Sequence, residues 1–412
     1  MRIDMMKPCP LFPLLSLLFI GGIAADPLLA QETAEEPFVY NAETNYFTGE
    51  GVNLGNFIFP SLYVLGTGGF FEPGAGPGDF ATSDHDPANE GGIQGIEPHL
   101  DINFNDTVTG FVAGFAHMGK GEVWEAELEE AFLHWHLNDW LSIGGGQFLS
   151  HVGFQQDLHL HDWFFVNQNL SNSRIINEGE LIIQGGEFLI RLPENALLTF
   201  AFGGVRTHAH AEEEEEEPTD PEFIEAHAGE FQNTVVSADY RFRLPFDDSI
   251  VGSASVVGGD NAFGLETIVY SFGLRKVWNG HDHGQGGPDF CSGALMLHSE
   301  FFTREVDAFN LGGVATEFDD QGVATSIHYG LNDRVTASLR HDWVSGAANT
   351  EFTERNRISA ALTAFVDPLQ RVRARLQYDH VEDDLVGSEN VAWLQIQLQW
   401  GGVPGSHAGH GH

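Results

Sequence analysis

The sequence predicts an all-β protein, a transmembrane antiparallel β-barrel of about 16 strands with no plug domain. Three observations support this fold class. Short segments that alternate apolar and polar residues follow one another from about residue 56 to residue 400. An export signal precedes them. No segment approaches the roughly 18 consecutive apolar residues that a membrane-spanning helix needs, so the alternating segments are the predicted spans.

The first element is an N-terminal signal, residues 1–30. Arg2 and Lys7 precede an apolar run from Leu11 to Ala25, and small residues lead up to Ala30. A basic start, a short apolar core and small residues at its end are typical of a cleaved secretory signal. We therefore expect an exported protein in the outer membrane of a Gram-negative bacterium.

The charge of the chain limits its partners. Sixty Asp and Glu residues stand against 18 Lys and Arg residues, which gives a formal net charge of −42. Such acidity argues against nucleic acid and against anionic lipid surfaces as direct partners. The expected partners are outer-membrane lipid and small hydrophilic solutes or metal ions. No cofactor is required, although Zn²⁺ or another divalent cation is a possible ligand.

The domain boundaries follow from composition. A short acidic periplasmic segment, residues 31–55, precedes the barrel, residues 56–400, and a His/Gly-rich tail follows at residues 401–412. Alternation predicts the strands in order. They lie near residues 56–66, 92–104, 107–117, 122–137, 140–149, 180–192, 196–208, 230–244, 249–259, 264–278, 290–303, 321–331, 334–344, 355–366, 370–380 and 389–400.

The alternation is clearest in three of these strands. Apolar residues share one face, and glutamines or arginines share the other, as expected for a strand between lipid and water. A one-sided sheet in a soluble sandwich also alternates, but its inner face would not readily accept several arginines. The apolar residues are Val236, Ala238, Tyr240, Phe242, Val372, Ala374, Leu376, Tyr378, Ala392, Leu394, Ile396, Leu398 and Trp400.

Turn residues predict the two ends of the barrel. Asn-Asp pairs and prolines mark tight turns, which we place on the periplasmic side. These turns lie at residues 138–139, 193–195, 245–248, 332–333 and 368. The longer insertions are predicted to face outward. They lie at residues 67–91, 150–179, 209–229, 280–289, 304–320, 344–353 and 380–388.

One strand breaks its own alternation. Between Glu122 and Leu137 the apolar face changes parity, which predicts either a bulge near Glu129 and Glu130 or a strand that leaves the membrane there. Both alternatives place the side chains of four polar residues toward the lumen. These are Glu125, Glu127, His134 and His136.

Histidine clusters are candidate metal ligands. The chain has 20 histidines, mostly between the predicted strands, and neutral imidazoles bind zinc, copper or nickel. A solvated acidic loop and an unstructured tail that bind no ion are the alternatives. The candidate ligands are His159, His161, His208, His210, Glu212, Glu213, His227, His281, His283, His407, His410 and His412.

A long aromatic segment, residues 146–178, is predicted to fold into the pore as a constriction. Asp162, Trp163 and Arg174 are its candidate constriction residues. Its polar groups either bind a metal or solute or satisfy the backbone of the loop.

Arginines on the lumen face support a competing interpretation. Rings of arginine favour anions, as in phosphate-selective porins, which this arginine ladder loosely resembles. Pairing with wall acids is the other interpretation. The candidate pore-lining residues are Arg241, Arg243, Arg334, Arg340, Arg357, Arg371, Arg373, Arg375, Asp239, Glu125 and Glu127.

Gly145 to Pro193, GGQFLSHVGFQQDLHLHDWFFVNQNLSNSRIINEGELIIQGGEFLIRLP, resembles the signature region of a porin-like bacterial outer-membrane family. Its members are often labelled zinc-regulated, TonB-dependent-like receptors. Leu160 stands where the family pattern has proline, and Asn167 where it has aspartate. The resemblance implies an outer-membrane barrel associated with entry of zinc or small solutes. Matching positions are Gly146, Phe148, Leu158, His159, His161, Trp163, Phe165, Val166, Gly186 and the tail from His407 to His412.

Residues 31–55 are too few to fill a 22-stranded barrel, so we expect no TonB coupling. The leading interpretation is a porin-like channel for passive entry of small hydrophilic solutes, linked to acquisition of zinc or another divalent cation. A homotrimer is the assembly that a porin suggests. An anion-selective porin and a barrel-anchored metal-binding or adhesion protein are the alternatives. No nucleophile motif accompanies the histidines, so we expect no enzyme.

Overall fold

The computed structural model is a closed barrel in which every strand pairs antiparallel with its neighbours in sequence, and the first strand pairs with the last. The fold class predicted from the sequence is therefore confirmed. The structure describes residues 53–55, 57–73, 76, 83, 85–119, 123–156, 158–193, 196–206, 222–244, 247–279, 292–366, 371–385 and 387–402. The predicted signal peptide lies outside these residues.

Sixteen strands form the barrel. They are β1 Ile58–Phe71, β2 Gly91–Asn105, β3 Val108–Met118, β4 Trp124–Asn138, β5 Leu141–Leu149, β6 Ile182–Leu192, β7 Ala196–Val205, β8 Phe231–Leu244, β9 Asp247–Asn261, β10 Glu266–Trp278, β11 Leu295–Phe309, β12 Ala315–Asn332, β13 Val335–Val344, β14 Arg355–Phe365, β15 Val372–Asp383 and β16 Gly387–Gly401.

The two faces of each strand differ in polarity as the alternation predicts. Large apolar side chains such as Leu133, Trp135 and Leu376 are exposed on the outer surface, whereas Arg375 and Gln377 are buried in the lumen. Closure of the barrel pairs the backbone polar groups of every strand, which a chain in a bilayer must do. An apolar outer band around a closed barrel places the protein in the outer membrane. In the described part of the chain, no helix has the length and apolar character needed for crossing a membrane.

Short turns gather at the end of the barrel that also holds the start of β1 and the end of β16. We assign this end to the periplasm. Trp278 and Leu295, the ends of β10 and β11, also lie there. Residues 280–289, which are predicted to face outward, lie outside the described residues.

The prediction that residues 304–320 form an insertion is wrong, because β11 and β12 extend through most of this range and turn only at residues 310–314. Here the alternation is inverted. Glu305 and Asp307 point outward and are exposed, while Val306, Ala308 and Phe318 point inward and are buried. A strand pair that projects beyond the bilayer has water outside, so acidic residues face outward and the pattern no longer resembles a lipid-facing strand.

A bulge in β4 resolves the change of parity near Glu129. Ala113 of β3 pairs with Glu130 and Gly114 pairs with Leu128, so Glu129 is the extra residue. The bulge lets both Glu129 and Glu130 be buried on the lumen side, at 0% and 8% exposure. Two consecutive inward carboxylates are impossible in a regular strand.

Candidate functional site

The segment between β5 and β6, residues 150–181, lies inside the barrel, and we call it the inserted loop. It contains a 3₁₀ turn, Leu160–Asp162, and a short helix, α1, Leu170–Ile175. Asn169 caps α1 by accepting the backbone N–H of Asn172 at 2.7 Å. Most of its described side chains are buried, including the apolar Val152, Ile175 and Leu181 that pack in the main apolar cluster of the lumen.

Four wall arginines on β13, β14 and β15 hold the backbone of this loop. Arg340 Nη1 donates to Asn167 O at 2.9 Å, and Arg375 Nη1 donates to Phe165 O at 2.8 Å. Arg357 donates to Gln168 O, Arg373 to His161 O, and Arg375 also to Trp163 O. The barrel wall thereby satisfies carbonyl groups that a buried loop would otherwise leave unpaired.

Uncharged and acidic side chains of the barrel wall also bond to the inserted loop. Gln377 Oε1 accepts the backbone N–H of Val166 at 2.7 Å, and Gln94 Nε2 donates to Val166 O at 2.8 Å. Asn167 Nδ2 donates to Asp379 Oδ2 at 2.9 Å. Gln94 lies on β2 and Gln377 on β15, on either side of the β1–β16 seam. The loop is therefore bonded to strands on both sides of the closure.

Two of these four arginines, Arg340 and Arg357, also pair with an acid of the wall. Asp342 Oδ2 lies 2.9 Å from Arg340 Nε and 2.9 Å from Arg357 Nη2. Arg304 and Asp320, both 0% exposed, are 3.2 Å apart. Buried ion pairs of this kind need the additional hydrogen bonds that the loop provides. In this structure the inner arginines are committed to wall acids and loop carbonyls.

The remaining predicted pore-lining residues lie away from the centre of the lumen. Arg241 pairs with buried Asp239 at 3.0 Å and donates to Gly153 O. Glu127 pairs with Arg206 at 3.0 Å, while the mostly exposed Glu125 lies 3.5 Å from His117. Arg243 and Arg371 are partly buried near the periplasmic ends of β8 and β15, and Arg334 is exposed in the β12–β13 turn.

The three predicted constriction residues make different contacts within the inserted loop. Trp163 is 2% exposed and donates its ring N–H to Leu158 O at 3.0 Å. Burial raises the pKa of Asp162. Arg174 donates to the carbonyl oxygens of Ser345 and Thr353, each at 2.9 Å, so it attaches the outer end of the loop to the β13–β14 connection. Burial lowers the pKa of Arg174 to about 10.

A cavity of about 30 Å³ remains between the inserted loop and strands β10 to β13. Its charged lining comprises Arg275, Arg340, His298 and Glu300, and aromatic rings of the loop form the opposite side. Arg275 lies over the ring of Phe154, with its guanidinium carbon 4.7 Å from the ring centroid. A space of this size suits water or a small ion.

On the other side of the loop, buried histidines and carboxylates form a second polar centre. Glu97 and His99 come from β2, and Glu129 and Glu130 come from β4. The inserted loop supplies His159, His161 and Glu180, and the β1–β2 connection supplies His85. His85, His99, His159 and His161 are at most 2% exposed. We call these eight residues the His–Glu centre.

Hydrogen bonds and ion pairs connect the centre. His159 Nε2 lies 2.9 Å from Glu130 Oε2, and its Nδ1 lies 3.3 Å from Glu129 Oε2. His85 lies between Glu129 at 2.9 Å and Glu180 at 3.2 Å. Burial lowers the pKa of His85, but Glu180 and Glu129 outweigh it and raise this pKa to about 10. Burial and the two glutamates oppose each other at His159 too, and its pKa is raised well above the ordinary value.

Two groups in this centre have donor atoms close enough for one metal ion. They are Glu97, His99 and His159, and His85, Glu129 and Glu180, with the donor atoms of each group within 4.8 Å of one another. A third group, Glu178, His227 and Glu230, is partly exposed at the outer end of the barrel.

The predicted metal ligands are thus divided. His159 and His161 meet in the His–Glu centre, and His227 lies in the partly exposed group. The other predicted ligands lie outside the described residues. They are His208, His210, Glu212, Glu213, His281, His283, His407, His410 and His412.

Sequence reasoning missed most of the centre. Glu97, His99 and Asp101 alternate along β2, and this Glu-x-His-x-Asp pattern placed three polar groups on the lumen face. Glu129 and Glu130 were noticed only as a break in parity. No local signal marks His85 or Glu180, because their positions depend on how the two loops fold into the barrel.

Solved outer-membrane proteins have the same fold. The outer membrane channel DcaP of Acinetobacter baumannii aligns with a TM-score of 0.56 and 10% identity, over 83% of this chain and 97% of that one. An anion-selective porin from Comamonas acidovorans gives 0.52 and 8%, over 83% and 98%. OmpT, an outer membrane protein of Vibrio cholerae, gives 0.53 and 9%, over 83% and 97%.

At these identities the likeness shows the fold: a barrel of the porin type. No protein-family model and no curated protein sequence matches the chain. The resemblance to the zinc-regulated receptor family therefore stays a prediction.

Proposed function

We propose that this protein is a porin-like outer-membrane channel for passive entry of small hydrophilic solutes, linked to the acquisition of zinc or another divalent cation. It works without TonB coupling, and a homotrimer is its proposed assembly. A porin-type barrel of similar fold is described as a trimer form, which supports that assembly.

The observation that carries the proposal is the inserted loop across a polar lumen. A barrel of sixteen strands is wide enough to leave an aqueous channel unless a loop enters it. Here residues 150–181 enter it, and Arg340, Arg357, Arg373 and Arg375 hold the loop against the wall. A fixed loop of this kind restricts passage by size, which suits entry of small solutes and ions.

The charges favour cations over anions. Asp342 pairs with two arginines of the ladder, and loop carbonyls accept further guanidinium N–H groups, so fewer of these donors remain to bind an anion. The chain carries a net charge of −42. Acidic groups around a pore concentrate cations and repel anions. The feature of the described lumen that favours the anion-selective alternative is the cavity lined by Arg275 and Arg340.

The test is the reversal potential of the refolded mature chain in a planar bilayer under a salt gradient, with and without micromolar Zn²⁺. We expect conducting, cation-selective channels that Zn²⁺ partly blocks. A variant lacking residues 209–225 separates capture by that acidic segment from an effect inside the lumen. Anion selectivity would contradict the proposal, and an absence of conductance would favour a barrel that only anchors its loops.

A further inference from the structure

Glu97, His99 and His159 meet inside the barrel although they come from two separate elements. Glu97 and His99 are alternate residues of β2, so both side chains point into the lumen. His159 comes from the inserted loop, and its ring centroid lies 4.8 Å from that of His99. The three residues are 0%, 2% and 2% exposed, with donor atoms within 4.8 Å of one another.

A second, independent observation concerns Glu97. Its Oε2 atom lies 2.9 Å from His161 Nδ1 and accepts the backbone N–H of His161 at 3.1 Å. Its Oε1 atom is buried and has no hydrogen-bond partner among the described residues. A buried carboxylate oxygen without a partner is costly unless a ligand completes it.

We propose that Glu97, His99 and His159 bind one divalent transition-metal ion, with Zn²⁺ as the first candidate, and that this ion fastens the inserted loop to β2. Two imidazoles and one carboxylate form a donor set that zinc sites use with one position left for water. Thiolates are absent from the described centre, which disfavours Cu⁺, and nitrogen donors disfavour Mg²⁺ and Ca²⁺.

The carboxylates beside His159 suit an imidazole that binds a metal ion through one of its two nitrogens. Glu130 Oε2 lies 2.9 Å from its Nε2, so Nδ1, which lies 3.3 Å from Glu129 Oε2, is the nitrogen that would bind the ion and give up its proton. A metal-binding imidazole usually donates its other N–H to such an oxygen, which fixes the ring and increases its basicity. Glu130 also accepts the backbone N–H of Leu149 at 2.9 Å, so its own position is fixed.

A metal ion at this site would couple metal binding to the position of the loop that narrows the pore. His159 is the only one of the three ligands on the loop, so an ion here connects a wall strand to the segment that narrows the pore. Binding would stabilise the inserted position of the loop, because a ligand that binds one state shifts the population toward it. This inference deepens the metal part of the proposed function and does not require that the channel conduct.

The test needs a chain without competing histidines. In a background variant, His208, His210, His227, His281, His283, His407, His410 and His412 are replaced by alanine, and the refolded barrel is stripped with chelator. Titration calorimetry with Zn²⁺ and metal analysis after desalting should show one tightly held ion per chain. His99→Asn in this background should remove it. Glu130→Gln should weaken binding by roughly 10–100-fold, as for other residues that orient a ligand.

His328→Asn is the matched control, because His328 is an equally buried lumen histidine whose nitrogens contact only Ser326 and Ser338. It should retain the ion. Heat-modifiable gel mobility checks that each variant forms a barrel. If His99→Asn fails to fold, hydrogen exchange of residues 150–181 in the background variant decides, since Zn²⁺ should slow it.

No tight Zn²⁺ in the background variant, or the same Zn²⁺ affinity after His99→Asn, would overturn the inference. Conductance is recorded on chelated protein, so a failure of the channel proposal is seen separately from a failure of this site.

Discussion

Arg375 shows at the scale of one residue how the lumen combines charge and structure. Its guanidinium donates to Phe165 O, Trp163 O, Gln395 and Thr363, all of them uncharged acceptors. The fork of five N–H donors is what allows one side chain to reach two loop carbonyls and two wall residues together. The residue thus fixes the loop without needing a partner acid.

Arg375→Lys should therefore loosen the inserted loop. A lysine ammonium cannot reach all these acceptors, and each buried carbonyl left without a donor costs about 1–3 kcal/mol. We expect a lower urea midpoint for the barrel refolded in lipid vesicles and larger fluctuations of single-channel current. Arg334→Lys is the control, because Arg334 is exposed in the β12–β13 turn and should change neither quantity. Equal midpoints for the two variants would show that Arg375 does not hold the loop.

The strands illustrate which elements follow from sequence. Sixteen were predicted and sixteen are present, because lipid outside and water inside impose a period of two. The sequence predicts a loop for the upper parts of β11 and β12, since Glu305 and Asp307 face water and their apolar neighbours face inward. Polar and apolar residues still alternate there, but the polar residues face outward and the apolar residues face inward.

The bulge in β4 supports a sharp prediction. Deleting Glu129 removes the extra residue and leaves the pairs Ala113–Glu130 and Gly114–Leu128 in place, so the barrel should still form. Deleting Ala361 instead, from the regularly paired strand β14, shifts pairing by one residue and turns one half of that strand to the wrong face. Heat-modifiable gel mobility after refolding should show a folded barrel for the Glu129 deletion only. Loss of the folded barrel on deleting Glu129 would contradict the assigned bulge.

At the scale of the whole molecule, the fold was predictable but most of the candidate site was not. Alternation and turn residues are local, so they determined the barrel and its ends. The His–Glu centre depends on the path of two loops: His159 and His161 were visible in a family-like segment, but nothing near His85 or Glu180 indicates that these loops bring them together inside the lumen. Contacts between distant segments need the tertiary structure.

The central claim is that residues 150–181 restrict the pore and occupy hydrogen-bond donors of its arginines. Leu149, the last residue of β5, pairs directly with Ile182, the first residue of β6. A short glycine-serine turn can therefore replace the inserted loop without breaking the hairpin. Excision would free the arginines of β13, β14 and β15 from their loop carbonyls and leave an open, more basic lumen.

The most direct measurement is therefore the single-channel conductance and reversal potential of the loop-excised chain beside the intact one. We predict a severalfold larger conductance and a shift toward anion selectivity in the excised chain. A variant shortened at residues 209–219, which lie outside the described residues, is the control and should keep the conductance of the intact chain. Unchanged conductance and unchanged selectivity after excision would contradict the assignment of this loop as the constriction.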